Sequence, residues 1–183
     1  MDYQALVFAV WSAIHPHAGK SGDAPVIAAA IATAVSEDEA RGAKDGPIEA
    51  ALLAVFAWHE SNVQMVPFPD SWDSKAGLSC GPWQQSCEAV RGMAALGQAR
   101  RWLGLLHEGT ASCPKTPLAP ISGGCEAARK VGFKRLYRAT MLLQKVSVSD
   151  DGNLAKWLGP VDPQTVVQAD RVESLGVAEL QRP

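Results

Sequence analysis

The stretch GPIEAALLAVFAWHESN, residues 46 to 62, decides how this chain folds. Gly46 stands where a helix cap belongs and Pro47 suits the first helical position. Glu49 falls in the first turn, where the positive end of the helix dipole favours a carboxylate. The residues that follow are apolar on almost every side. A helix without a polar face is stable only with neighbours all around it, so this one is expected to run through the centre of the domain. Asn62, with Pro67 and Pro69 beyond it, ends the run.

Upstream, the spacing predicts a first helix from Tyr3 to Ile14 capped by Asp2, closed by HPHAGKSGD. A second helix starts at Ala24 with Asp23 as its cap and runs into the acidic cluster SEDEAR. Downstream, the Pro-, Gly- and Ser-rich VPFPDSWDSKAGLSCGPWQQ reads as a loop or short hairpin. A fourth helix is expected from Ser86, with Leu96, Ala99, Leu103 and Leu106 on one face. A fifth is expected from about Cys125 to Lys145, with Phe133, Leu136, Tyr137 and Met141 inward. No repeat and no sustained alternation interrupts this, so the predicted fold class is all-α, or an α-dominated α+β. Residues 1 to 148 form the expected domain, and 149 to 183 a tail or an extra helix packed on it.

With 183 residues, 47% apolar and 20% charged, the composition is that of a globular protein with a sizeable core. The net charge is only −2, yet ten basic residues between Arg91 and Lys145 face only Glu108 and Glu126. A cationic block of this kind suits solvated helix faces or a polyanionic target such as a bacterial wall. Nucleic acid is not expected, because no basic run interleaves with aromatics. The uncharged stretches fall short of the about 20 apolar residues that cross a bilayer, so no membrane span is expected. The acidic start MDYQ is unlike a secretory leader, and none is expected.

Cys80, Cys87, Cys113 and Cys125 allow three pairings; the local pairs 80 with 87 and 113 with 125 are favoured, and free thiols are the alternative. Their spacing is not that of a zinc site. Cys80 with His59 or His107 lacks an orienting third group, and His15 and His17 suggest solvent exposure and nothing more.

Glu60 sits at the C-terminal end of the central helix, against Phe56, Ala57 and Trp58. Apolar surroundings and the negative end of the helix dipole both disfavour a charged carboxylate, so its pKa is expected to rise. A glutamate held protonated in this way suits a general acid acting on a glycosidic oxygen. ESN, then AGLSCGPWQQ, then LAPISGGC, in that order across residues 47 to 145, resemble the soluble lytic transglycosylase and goose-type lysozyme superfamily. The marks are a Glu-Ser pair ending a buried helix, a Gly-x-x-Gln turn about twenty residues on, and a Tyr-Asn-like segment before a late helix.

The resemblance implies a lysozyme-like helical domain and peptidoglycan cleavage. Glu60 would be the catalytic acid/base and Ser61 its support. Gln84 would hydrogen-bond the sugar, with Gly81 giving the turn its room. Ile121 and Ser122 stand where the family has Tyr-Asn, a departure that raises the alternative of an inactive wall-binding or structural module. A second carboxylate facing Glu60 would be Asp73 in preference to Asp70, and Asx-turn capping is the competing role for both. With it, an inverting hydrolysis is expected; without it, attack by the sugar's 6-hydroxyl gives an anhydro product. Trp72 and Trp83 either line the cleft or pack the loop onto the central helix. The expected partner is a peptidoglycan glycan strand bound by a monomer. No cofactor and no metal are expected, and a phage or virion-associated lysin is the expected setting.

Overall fold

The computed structural model describes residues 1–65, 68–69, 78–112 and 139. Helix α1 spans Tyr3–Ile14, a 3-10 turn Ala18–Lys20, α2 Ala24–Ala40 and α3 Gly46–Ser61. Strands β1 (Phe68–Pro69), β2 (Leu78–Cys80) and β3 (Gln85–Ser86) follow, and then α4 (Ala95–Ser112). The described part is helix-dominated, with one small antiparallel sheet of order β1-β2-β3. Its register pairs Phe68 with Ser79 and Cys80 with Gln85.

Helix α3 is the central element, and every residue from Ile48 to Ala57 is buried. The alanines at 50, 51, 54 and 57 have no bulk to hold neighbours away, and α1 and α2 both pack directly on it. Trp11 of α1 reaches in and donates its indole N–H to the Ala54 carbonyl at 2.9 Å. Helix α4 packs mainly on α2 and meets α3 through side chains, with the ring of Trp102 edge-on to Phe56 at 5.0 Å. Each fully buried Leu, Phe or Ile along this seam stabilises the fold by roughly 1.5–3 kcal/mol relative to exposure.

Helix α1 has the expected bounds, and Asp2 Oδ1 accepts the Ala5 N–H at 3.0 Å, as a cap should. Three expectations are corrected. Asp23 precedes α2 but makes no capping bond; its Oδ2 instead accepts the main-chain N–H of Met65 at 2.9 Å, tying the start of α2 to the exit of α3. Gly46 is the first residue of α3, with Asp45 before it. Substituting it is blocked by contact: a Cβ there would lie 2.2 Å from the Tyr3 hydroxyl. That hydroxyl donates to Glu39 at the end of α2, and burial together with this bond raises the tyrosine pKa.

The third correction concerns α4, which begins at Ala95 and not at Ser86. Ser86 is taken into β3, whose pairing with β2 uses the backbone that a longer helix would need. Ala99, Leu103 and Leu106 face inward as expected, and Leu96 is partly buried. Within the expected fifth helix only Ala139 is described, and it is helical and buried. The tail from 149 to 183 lies outside the described residues. Among the described residues no helix is long and apolar enough to cross a membrane.

Candidate functional site

Leu53, Phe56 and Glu60 recur at i, i+3 and i+7, which puts them on one stripe of α3, the last within about 20° of the first. Phe56 is buried in the core, whereas Glu60, one turn further on, is half-buried. Glu60 thus stands at the edge of the apolar run, at the helix end, partly open to solvent.

The chain leaves α3 through a tightly bonded exit. Asn62 adopts φ 52° and ψ 37°, the left-handed cap conformation, and its N–H bonds the Trp58 carbonyl at 3.0 Å. The Val63 N–H bonds back to Ala57 O at 3.0 Å. Ser61 is buried; its hydroxyl donates to Ala57 O at 2.9 Å and accepts the Gln64 N–H at 3.1 Å. These bonds tie down the last turn of the helix, next to Glu60. Val63 itself sits at φ 61°, a costly conformation for a β-branched residue, and is fully buried. Backbone strain thus lies three residues beyond the candidate acid.

The turn Gly81–Gln84 is closed by Gln84 N–H to Gly81 O at 3.2 Å, reinforced by Gln84 Nε2 to the same carbonyl at 3.1 Å. Gly81 is required twice over. Its φ is +72°, and an added Cβ would come within 1.9 Å of Gln98 Oε1 on α4. Cys80 and Cys87 form a disulfide that brackets this turn. The local pairing expected for these two is observed, which removes Cys80 as a thiol nucleophile. Trp83 is buried at 3% exposure, and its indole N–H donates to the Leu53 carbonyl at 2.9 Å. It packs the loop onto the central helix and is not an open platform. Gln84 stays half-buried, while Gln85 turns inward, donating to Gln98 O and accepting from Arg101.

The structure therefore brings Ser61 and Glu60 together at the end of α3, and pins the Gly81, Trp83 and Gln84 turn to the same helix. Asp70, Trp72, Asp73, Ser122 and Tyr137 lie outside the described residues, as do Cys113 and Cys125. His15, expected only to be exposed, stacks on Trp58 with ring centroids 5.5 Å apart and planes 16° from parallel.

A second cluster was missed in the sequence. Glu49, near the start of α3, is 0% exposed. Its Oε1 lies 3.3 Å from His107 Nε2 of α4, and Asp38 Oδ2 of α2 lies 2.6 Å from the same nitrogen. Arg41 holds the other Asp38 oxygen at 2.7 Å. The Glu49 carboxylate is the main cause that lifts the His107 pKa to about 9, against the opposing effect of burial and with help from Asp38. Burial works to raise the Asp38 carboxyl, but the hydrogen bonds from Arg41 and His107 outweigh it and its pKa is lowered. The sequence did carry one signal: a charged residue set among IEAALLAV must be buried if its helix is apolar all round.

Comparison with known proteins adds no relative: no family model, no curated protein and no solved structure matches the chain.

Proposed function

We infer that this chain is a muramidase that cleaves the β-1,4 bond between N-acetylmuramic acid and N-acetylglucosamine in peptidoglycan, with Glu60 as the acid/base. The observation that carries this reading is the bond from Trp83 to Leu53 O, which docks the Gln84 turn on the helix that ends in Glu60. The helix-dominated fold, with a buried central helix leading directly into a small antiparallel sheet, agrees with a lysozyme-like architecture.

In the first step Glu60 donates its proton to the glycosidic oxygen as the bond to the sugar's anomeric carbon breaks, and the N-acetylglucosamine-side alcohol leaves. Gln84 orients a sugar amide or hydroxyl beside it. When the nucleophile is the sugar's own 6-hydroxyl, the Glu60 carboxylate left behind accepts its proton; a water attacking from the opposite face gives its proton to Asp73. If that nucleophile is water, a reducing end results; if it is the muramic acid's own 6-hydroxyl, a 1,6-anhydro end results. Asp73, as the second carboxylate, would favour water. Ser61 keeps the last helical turn rigid while the proton moves.

The test is clearance of purified bacterial cell walls by the full chain and by Glu60→Gln. Lysis by the wild type, lost in the variant with its circular dichroism unchanged, is the expected result. Equal lysis by both removes Glu60 from the chemistry. The second reading, a wall-binding module without activity, is favoured by Ile121 and Ser122 in place of Tyr-Asn. It predicts that the wild type sediments with cell walls and releases no muropeptides.

A further inference from the structure

Three helices each contribute one side chain to a point remote in sequence from Glu60: Asp38 from α2, Glu49 from α3 and His107 from α4. We propose that these residues form a binding site for one divalent transition cation of the zinc type, which clamps the three helices together. One ligand atom from each lies within 4.8 Å of the others. In a tetrahedral zinc site with bonds of about 2.0–2.2 Å, ligand atoms stand roughly 3.3 Å apart. The 3.3 Å between Glu49 Oε1 and His107 Nε2 matches that value, and Asp38 Oδ2, at 2.6 Å from the same nitrogen, would draw back on binding.

The independent observation is Glu49. It is fully buried, and among the described residues neither carboxylate oxygen accepts a hydrogen bond of good geometry. The 3.3 Å approach of His107 is an ion pair to Oε1 alone. A buried carboxylate is expected to have its lone pairs satisfied, and a buried charge is normally paired and hydrogen-bonded or coordinated to a metal. A cation between Glu49 and His107 satisfies the group that the protein's own donors leave unbonded.

The donor set decides the class of ion. One imidazole with two carboxylates suits zinc and its neighbours in the transition series, while magnesium and calcium prefer oxygen alone. Asp38 is already oriented for this, because Arg41 holds Oδ1 and leaves Oδ2 facing the imidazole. A ligating carboxylate held in this way by an outer partner is the usual arrangement around a protein-bound metal. The His107 side chain is 42% exposed, so an ion enters past it and a water completes the coordination from that side. Binding displaces the proton from Nε2, and that proton leaves to solvent. This site does not depend on the muramidase reading, since it lies near the opposite end of α3 from Glu60.

The test is calorimetric titration of the chelator-treated full chain with Zn2+ at about pH 8, where proton competition is reduced. It is run in a His15→Ala, His17→Ala background, so that the exposed histidine pair of the α1 exit does not contribute. One equivalent bound per chain, with a rise in Tm, is expected. Adding His107→Ala, with folding checked by circular dichroism, should weaken binding by more than about tenfold and remove the Tm rise. Glu49→Gln should weaken it similarly; if that variant does not fold, the His107→Ala result decides alone. Equal affinity with and without His107, or no binding at all, overturns the proposal.

Discussion

The indole N–H of Trp83 reaches across from the Gly81–Gln84 turn to the main-chain carbonyl of Leu53, 2.9 Å away in the middle of α3. A carbonyl inside a helix is already engaged by its own ladder, so this second donor uses its remaining lone pair. Replacing Trp83 with Phe keeps most of the packing and deletes the bond. The expected loss is about 1 kcal/mol of stability by urea denaturation, together with a larger fall in wall lysis than that loss explains. Lysis that follows the folded fraction alone would separate the turn from the activity proposed for Glu60.

Gly81→Ala meets two obstacles, a left-handed backbone and the Gln98 amide. A destabilisation of about 1–3 kcal/mol is expected. Combining it with Gln98→Ala should recover the steric part and leave the conformational part. A thermodynamic cycle of the four proteins in urea measures the split.

Reduction of the Cys80–Cys87 disulfide should cost stability, since the bond closes a short loop in the unfolded chain as well. The chain-entropy relation gives about 2–3 kcal/mol for a loop of this length. Comparing Cys80→Ser, Cys87→Ser with the parent in urea checks it. The double variant should also give weaker lysis, because the bridge brackets the turn that carries Gln84.

For the chelator-treated protein, the His107 contacts predict a pH dependence. The folded-state pKa of about 9 lies above the ordinary value of 6.5. The contribution of the imidazolium to stability is therefore complete below about pH 6.5 and is lost as pH rises through about 9. Asp38, with its pKa lowered, works in the opposite sense, and its contribution fades as pH falls below the usual carboxylate range. The stability difference between the parent and His107→Gln should thus shrink from neutral pH towards pH about 9. A difference that stays constant across that interval would show that the ion pairs contribute nothing.

The helices legible in the sequence were those whose signals are local. Asp2 before Tyr3, and Pro47 within an unbroken apolar run, mark starts that need no knowledge of the rest of the chain. Apart from the one-residue shift of the α3 cap to Asp45, the missed features depend on distant partners. Asp23 has the right residue type for a cap, but the Met65 N–H, 42 positions away, takes its oxygen. The start of α4 is set by a strand pairing and a disulfide, neither visible as periodicity. At the candidate site, Gly81 announced a turn by its type. Whether the indole at 83 faces solvent or the core depended on which carbonyl lay opposite. Glu49 was read correctly as a first-turn acid, yet its burial against His107 needed the path of α4.

Trp11 and Trp83 grip successive carbonyls of α3, those of Ala54 and Leu53, from directions about 100° apart around its axis. A rod held at neighbouring points from two sides can neither spin nor slide. The aim of Glu60 at its tip is thereby fixed about two turns back, by two buried indoles. On the muramidase reading, random mutagenesis scored for lost wall clearance should accordingly return Trp11, deep in the protein, beside Glu60 and Gln84.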